Sequence, residues 1–217
     1  MASPIRSFIF LSVTLILANT AVAAGLGKYL DDLVLKDFGD GRQFELVNEY
    51  RYIDPKDTVW TVPKGTVVNG ASIPRYLWTI VGGPWEGKYR NASVIHDYFF
   101  DRKQYDSDSV HRVFYDAMTT SEVPDLKAKI MYFAVLRFNP RWKALELTKK
   151  PCPVAPVGHA KYNCLPVMAD DPTTKVVYIL ETPKYDEAEM KETAALIEAK
   201  NPALLDIEQL AKAKRGY

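Results

Sequence analysis

Three apolar stripes at helical spacing, joined by connections of a few residues, constrain this chain more than any other feature. The first runs from Asn91 or Ser93 to about Phe100 and carries Val94, Ile95, Tyr98 and Phe99. The second starts at Ser107 or Asp108 and repeats Val110, Phe114, Ala117 and Met118. The third spans about Pro124 to Arg137, with Leu126, Ile130, Phe133 and Ala134 on one face. Asn, Ser and Asp ahead of the first two supply side-chain acceptors for unsatisfied first-turn amides. Helices this close in sequence are expected as antiparallel neighbours sharing one buried seam.

The residues before them follow a different period. Asp40-Gly41 reads as a turn. Phe44, Leu46 and Val47, then Tyr50, Tyr52 and Ile53, form a β-rich segment that stops at Asp54-Pro55. Thr58 to Val62 is a second strand pairing back across Asp54 to Asp57, and Thr66 to Val68 is a third beyond the Pro63-Lys64-Gly65 turn. Helical character is expected around Tyr29 to Leu35. Ile73 to Val81 reads as a short apolar helix started by Ser72 and Pro74 and broken by Gly82-Gly83-Pro84.

After Asn139-Pro140, Trp142 is placed to close over the core. A proline-rich stretch follows from Pro151 to Pro172, and Val176 to Leu180 suits an edge strand. Asp186 to Lys200 and Leu204 to Lys214 are amphipathic and rich in Ala, Glu and Lys, which reads as an exposed tail packing one face. The fold class expected is α+β: a small N-terminal antiparallel sheet packed on a three-helix unit, with a helical C-terminal tail.

The N-terminus suggests a compartment. Arg6 precedes an apolar run from Phe8 to Leu17, and Ala21-Val22-Ala23 gives small-x-small, so residues 1–23 read as a secretory signal peptide. The run is short of the roughly 20 residues that a membrane span needs. The protein is therefore expected to be periplasmic or secreted and not an integral membrane protein after cleavage. Residues 24–150 form the expected core domain and 151–217 the appended loop, strand and tail.

Cys152 and Cys164 are the only cysteines. Export favours a disulfide between them, stabilising by roughly 2–3 kcal/mol for a loop of this length. A Cys-His-Cys metal site through His159 is the alternative, with an incomplete ligand set for zinc. The 28 basic and 27 acidic side chains leave no charge excess to attract a polyanion. A nucleic-acid partner is accordingly not expected.

Chemistry concentrates between Pro63 and Met118, around His96-Asp97. Adjacent helical residues point about 100° apart, so this dipeptide can serve a site only from two directions. His111 on the next helix is placed to meet His96 across the groove, as a base with an orienting partner. Asp97 and Asp101 are the candidates to hold a water or a divalent cation such as calcium. Asn69, Ser72, Trp85 and Tyr98 are the candidate substrate-binding residues.

The segments VPKGTVVNGASIPRYLW, VIHDYFF and HRVFYDAM, in that order over about Val62 to Trp142, resemble the bacterial and phage domain-of-unknown-function 1353 family. The family pattern has Asp where Asn69 and His111 stand here. HDYFF followed by His111-Arg-Val-Phe114 also resembles, more weakly, the helix pair of prokaryotic secreted phospholipase A2. That likeness implies His96 as the base, Asp97 as a calcium ligand, and His111 in place of an orienting Asp. Two functions follow as expectations. One is an envelope hydrolase acting on a lipid ester or cell-wall component. The other is a non-catalytic binding, inhibitor or immunity-type module facing an envelope component or envelope protein.

Overall fold

The computed structural model describes residues 26–39, 43–70, 87–148, 173–181 and 183–215, with 144–148 and 173–181 described by their backbone. The signal segment, the Asp40-Gly41 turn, the expected 73–81 helix, Ser72, Trp85, Cys152, His159 and Cys164 lie outside the described residues.

Six short strands open the fold: β1 (Lys28–Tyr29), β2 (Leu35–Asp37), β3 (Phe44–Leu46), β4 (Tyr50–Ile53), β5 (Val59–Val62) and β6 (Val67–Val68). They form two antiparallel sheets, β1-β4-β5 and β2-β3-β6. The β-rich segment 44–53 therefore divides, with one strand in each sheet. In the first sheet Tyr50 stands opposite Val62 and Tyr52 opposite Trp60, and all four point inward at 3% exposure or less. This is the two-residue alternation of a sheet with one buried face.

The helical character expected at Tyr29 to Leu35 is not found: β1 and β2 occupy that stretch. Tertiary contacts override the local pattern. The Tyr29 ring stacks on Tyr50 at 5.7 Å, and its hydroxyl donates to the Ala117 carbonyl at 2.9 Å. Arg51 holds Asp31 through two hydrogen bonds of 2.9 and 2.8 Å. At Gly27 the chain passes so close to the Tyr52 ring and the Ile53 carbonyl that any Cβ would collide with them.

The three expected helices are present as α1 (Arg90–Arg102), α2 (Ser107–Thr120) and α3 (Asp125–Phe138). Lys103, at φ 52°, ends α1 in the left-handed conformation, its amide donating to the Phe99 carbonyl. The chain then turns directly into α2. A hairpin, β7 (Arg141–Thr148) with β8 (Thr173–Glu181), follows α3. Its root is fixed by Trp142, fully buried, whose indole N–H donates to the Tyr105 carbonyl at 2.7 Å.

The last two helices, α4 (Glu187–Lys200) and α5 (Leu204–Arg215), are more than an exposed tail. Helix α3 is buried nearly all round, from Ala128 to Phe138, so it needs cover on several sides. Met190 and Ile197 of α4 and Ile207 and Ala211 of α5 are buried in the same core. Each fully buried Met or Ile stabilises by about 1.5–3 kcal/mol. Arg137 and Glu189 clamp α3 to α4 through paired hydrogen bonds of 2.8 and 2.9 Å. Among the described residues, no helix is long and apolar enough to cross a membrane.

Candidate functional site

Helix α1 places His96 in the seam between α1 and α2, in line with its buried neighbours Ala92, Val94, Ile95 and Phe99. Helix α2 brings His111 to the same seam with Val110, Val113 and Phe114. The four-residue connection between these helices makes them a hairpin, and the two histidines meet across it. His96 Nε2 and His111 Nδ1 lie 3.0 Å apart. Phe114 packs on His96 at 4.7 Å, Phe100 lies 5.6 Å from His96, and Trp142 stands edge-on to His111 at 6.0 Å.

Both imidazoles are fully buried, at 0% exposure. Burial pushes His96 down to about 3, because an imidazolium there would lose its water with no carboxylate to replace it. His111 is pushed well below its ordinary value, first by burial and then by repulsion from His96, Arg215 and Arg141. Both rings are therefore neutral at ordinary pH, and one N–H joins them. Whichever ring donates, one outer nitrogen keeps a proton and the other a lone pair. Those outer atoms, His96 Nδ1 and His111 Nε2, are buried with no hydrogen-bond partner among the described residues.

Asp97 faces the other way, as its position on the helix requires. Its Oδ2 accepts from the backbone amides of Asn69 at 3.0 Å and Gly70 at 2.7 Å. Gly70 has a positive φ of 61°, a conformation in which glycine carries no Cβ penalty. The carboxylate, 3% exposed, thus anchors the end of β6 to α1. Asn69 itself is exposed, and it is its backbone that reaches Asp97.

One turn on, Asp101 lines a depression of about 500 Å³ with Asp97, Tyr98, Arg102 and residues 65–68. The Arg102 guanidinium lies over the Tyr98 ring at 5.6 Å. Calcium takes six to eight oxygen ligands. This depression supplies two carboxylates, one of them already holding two amides. Among the described residues no group of three or more His, Cys, Asp or Glu side chains could hold a metal ion. Among the described residues, the donor set falls short of what calcium takes.

The structure thus joins His96 to His111 and Asp97 to the Asn69 backbone, and it puts Asp101 and Tyr98 beside Asp97. It keeps the two halves of the dipeptide apart. Both positions that depart from the resembled family pattern, Asn69 and His111, touch the dipeptide, one against each residue. Sequence reasoning passed over a polar network on the far side of α2. There Arg112 Nε donates to Asp116 at 3.0 Å, and Tyr132 donates to Glu208 at 2.9 Å. Its signal is the four-residue spacing of Asp108, Arg112 and Asp116 on α2, repeated by Glu208 and Lys212 on α5.

Residues 44–135 match a family described as "Protein of unknown function (DUF1353)". The chain is 42% identical over 143 residues, 65% of its own length and 43% of the relative's, to "Uncharacterized protein y4jT" of Sinorhizobium fredii. It is also 42% identical over 104 residues, 48% of its length and 44% of the relative's, to "Uncharacterized protein y4iH" of the same organism. The chain spans less than half the length of these curated relatives. No solved structure matches it.

Proposed function

We propose that this chain is an exported DUF1353-type protein that acts by binding an envelope component, and that its histidine-aspartate dipeptide is a structural joint. The observation that carries this reading is the full burial of His96 against another neutral imidazole. A general base must reach the proton it abstracts and must then carry a positive charge. His96 has no solvent contact, and its ordinary proton affinity is lost to burial. A neutral imidazole in the orienting position cannot stabilise an imidazolium as a carboxylate does. Asp97 is engaged by two backbone amides on the opposite side. Export rests on the N-terminal sequence.

A hydrolase is the second reading. What favours it is that Asp97 and Asp101, the two candidate holders of a water or cation, share one depression. Incubating the protein with envelope phospholipids and cell-wall fragments, with and without calcium, and reading products by mass separates the two. The binding reading expects no product from folded protein. A product lost in a folded His96→Gln variant would replace it with the hydrolase reading.

A further inference from the structure

A second concavity lies where α2, α3 and α5 meet the β4–β5 hairpin; neither histidine lines it, although Arg141 and Arg215 of its wall bear on His111. It encloses about 410 Å³, within the size range of small-molecule sites. Its apolar floor includes Trp60, Val113, Tyr132, Leu136 and Ala211, with Tyr105, 38% exposed, at the rim. Five cationic side chains line its walls, Lys56, Arg112, Arg141, Lys212 and Arg215, against the four acids Asp54, Asp108, Asp116 and Glu208.

The acids are engaged inside the wall itself. Asp54 accepts from the Lys56 and Thr58 amides at 2.8 and 2.9 Å and from the Trp60 indole at 3.0 Å. Glu208 accepts from the Tyr132 hydroxyl at 2.9 Å and from Arg112 at 3.5 Å. Asp116 accepts from Arg112, and Asp108 lies 3.6 Å from Arg141. Lys56 and Lys212, by contrast, make no ion pair among the described residues, and both are exposed. Arg112 and Arg141 are committed to these acids, so the uncommitted positive charge over the apolar floor is that of the two lysines. It suits a negative group attached to an apolar body.

We propose that this groove is a binding site for a small organic anion, a carboxylate or phosphate ester with an aromatic or aliphatic body. The charged group sits against Lys212 and the neighbouring arginines, and the body lies over the floor beside Trp60 and Tyr105. The groove shares Val113 with the histidine seam, but neither histidine lines it, so the site goes beyond the reading above and stands whether or not His96 is catalytic.

The test is calorimetric titration of the full chain with 2-naphthoate, phenyl phosphate, decanoate and the neutral 2-naphthamide. At least one anion is expected to bind with one-to-one stoichiometry, with naphthamide at least about tenfold weaker than naphthoate. Lys212→Glu, a change at an exposed position, is expected to weaken the anion by about tenfold or more. Lys191→Glu, at an exposed lysine of α4 outside the groove, is expected to leave it unchanged. Three outcomes overturn the proposal: no saturable binding of any anion below about 1 mM, naphthamide binding as tightly as naphthoate, or equal losses in the two variants.

Discussion

A buried imidazole whose hydrogen-bond partner is another imidazole cannot take up a second proton without losing the water that would solvate its charge. The fold therefore holds His96 and His111 neutral, and acid should act on it through them. His96 in the folded state titrates near 3, whereas in an unfolded chain its value is about 6.5. Above that value both states are neutral and the full stability is present. As pH falls from about 6.5 toward 3, the unfolded chain takes up a proton that the folded one refuses. Stability then falls by about 1.4 kcal/mol per pH unit for each histidine so placed. Urea unfolding at pH 7, 6 and 5 should show this slope, and a doubly substituted His96→Gln/His111→Gln protein should flatten it. A second expectation concerns the partner: His111→Asp puts a carboxylate beside His96 Nε2 and should raise the His96 titration by more than one unit, read by NMR of the imidazole protons. An unchanged titration would mean that burial alone sets its charge state.

At the scale of elements, backbone amides and clamped ion pairs hold the helices to their neighbours. Asp97 ties α1 to the end of β6 with two charge-assisted hydrogen bonds, each worth about 1.5–3 kcal/mol. Asp97→Ala should cost on the order of 3 kcal/mol in urea unfolding, and a loss under about 1 kcal/mol would remove its anchoring role. Two ion pairs that join parts of the chain far apart in sequence invite a comparison. Glu189→Ala strands Arg137, whose side chain is only 12% exposed, and should cost about 2 kcal/mol. Glu122→Ala breaks a pair exposed at 59% and 82% and should cost almost nothing. Helices α1 to α3 were legible in advance because apolar period is a local signal, and the meeting of His96 with His111 followed from their hairpin. The expected caps were wrong, since Asn91, Ser93, Ser107 and Asp108 lie inside the helices and no side chain caps their first turns. Strands β1 and β2 were not legible, since two or three residues carry no period and their placement depends on Tyr50, Arg51 and Ala117 far along the chain. The partners of Asp97 were hidden for another reason: a backbone amide is the same at every non-proline residue.

On the scale of the whole molecule, cover for α3 is shared between segments far apart in sequence. Its buried faces meet α2 on one side and α4 and α5 on the other, so the C-terminal helices belong to the fold's cooperative unit. A chain ending at residue 182 should lose its sharp unfolding transition and bind hydrophobic dyes. Retention of a sharp transition would show that α4 and α5 only decorate the core. The site candidates divide in the same way, with the histidine seam inside the α1–α2 hairpin and the charged groove formed only once α5 has docked. The strands carry one more consequence. Along the chain they alternate between the sheets, first to one, then twice to the other, twice back, and once more across. Any genetic crossover between Tyr29 and Val67 would send the strands of at least one sheet to two different proteins. An exchange that preserves this region must therefore carry both sheets together, as one heritable block.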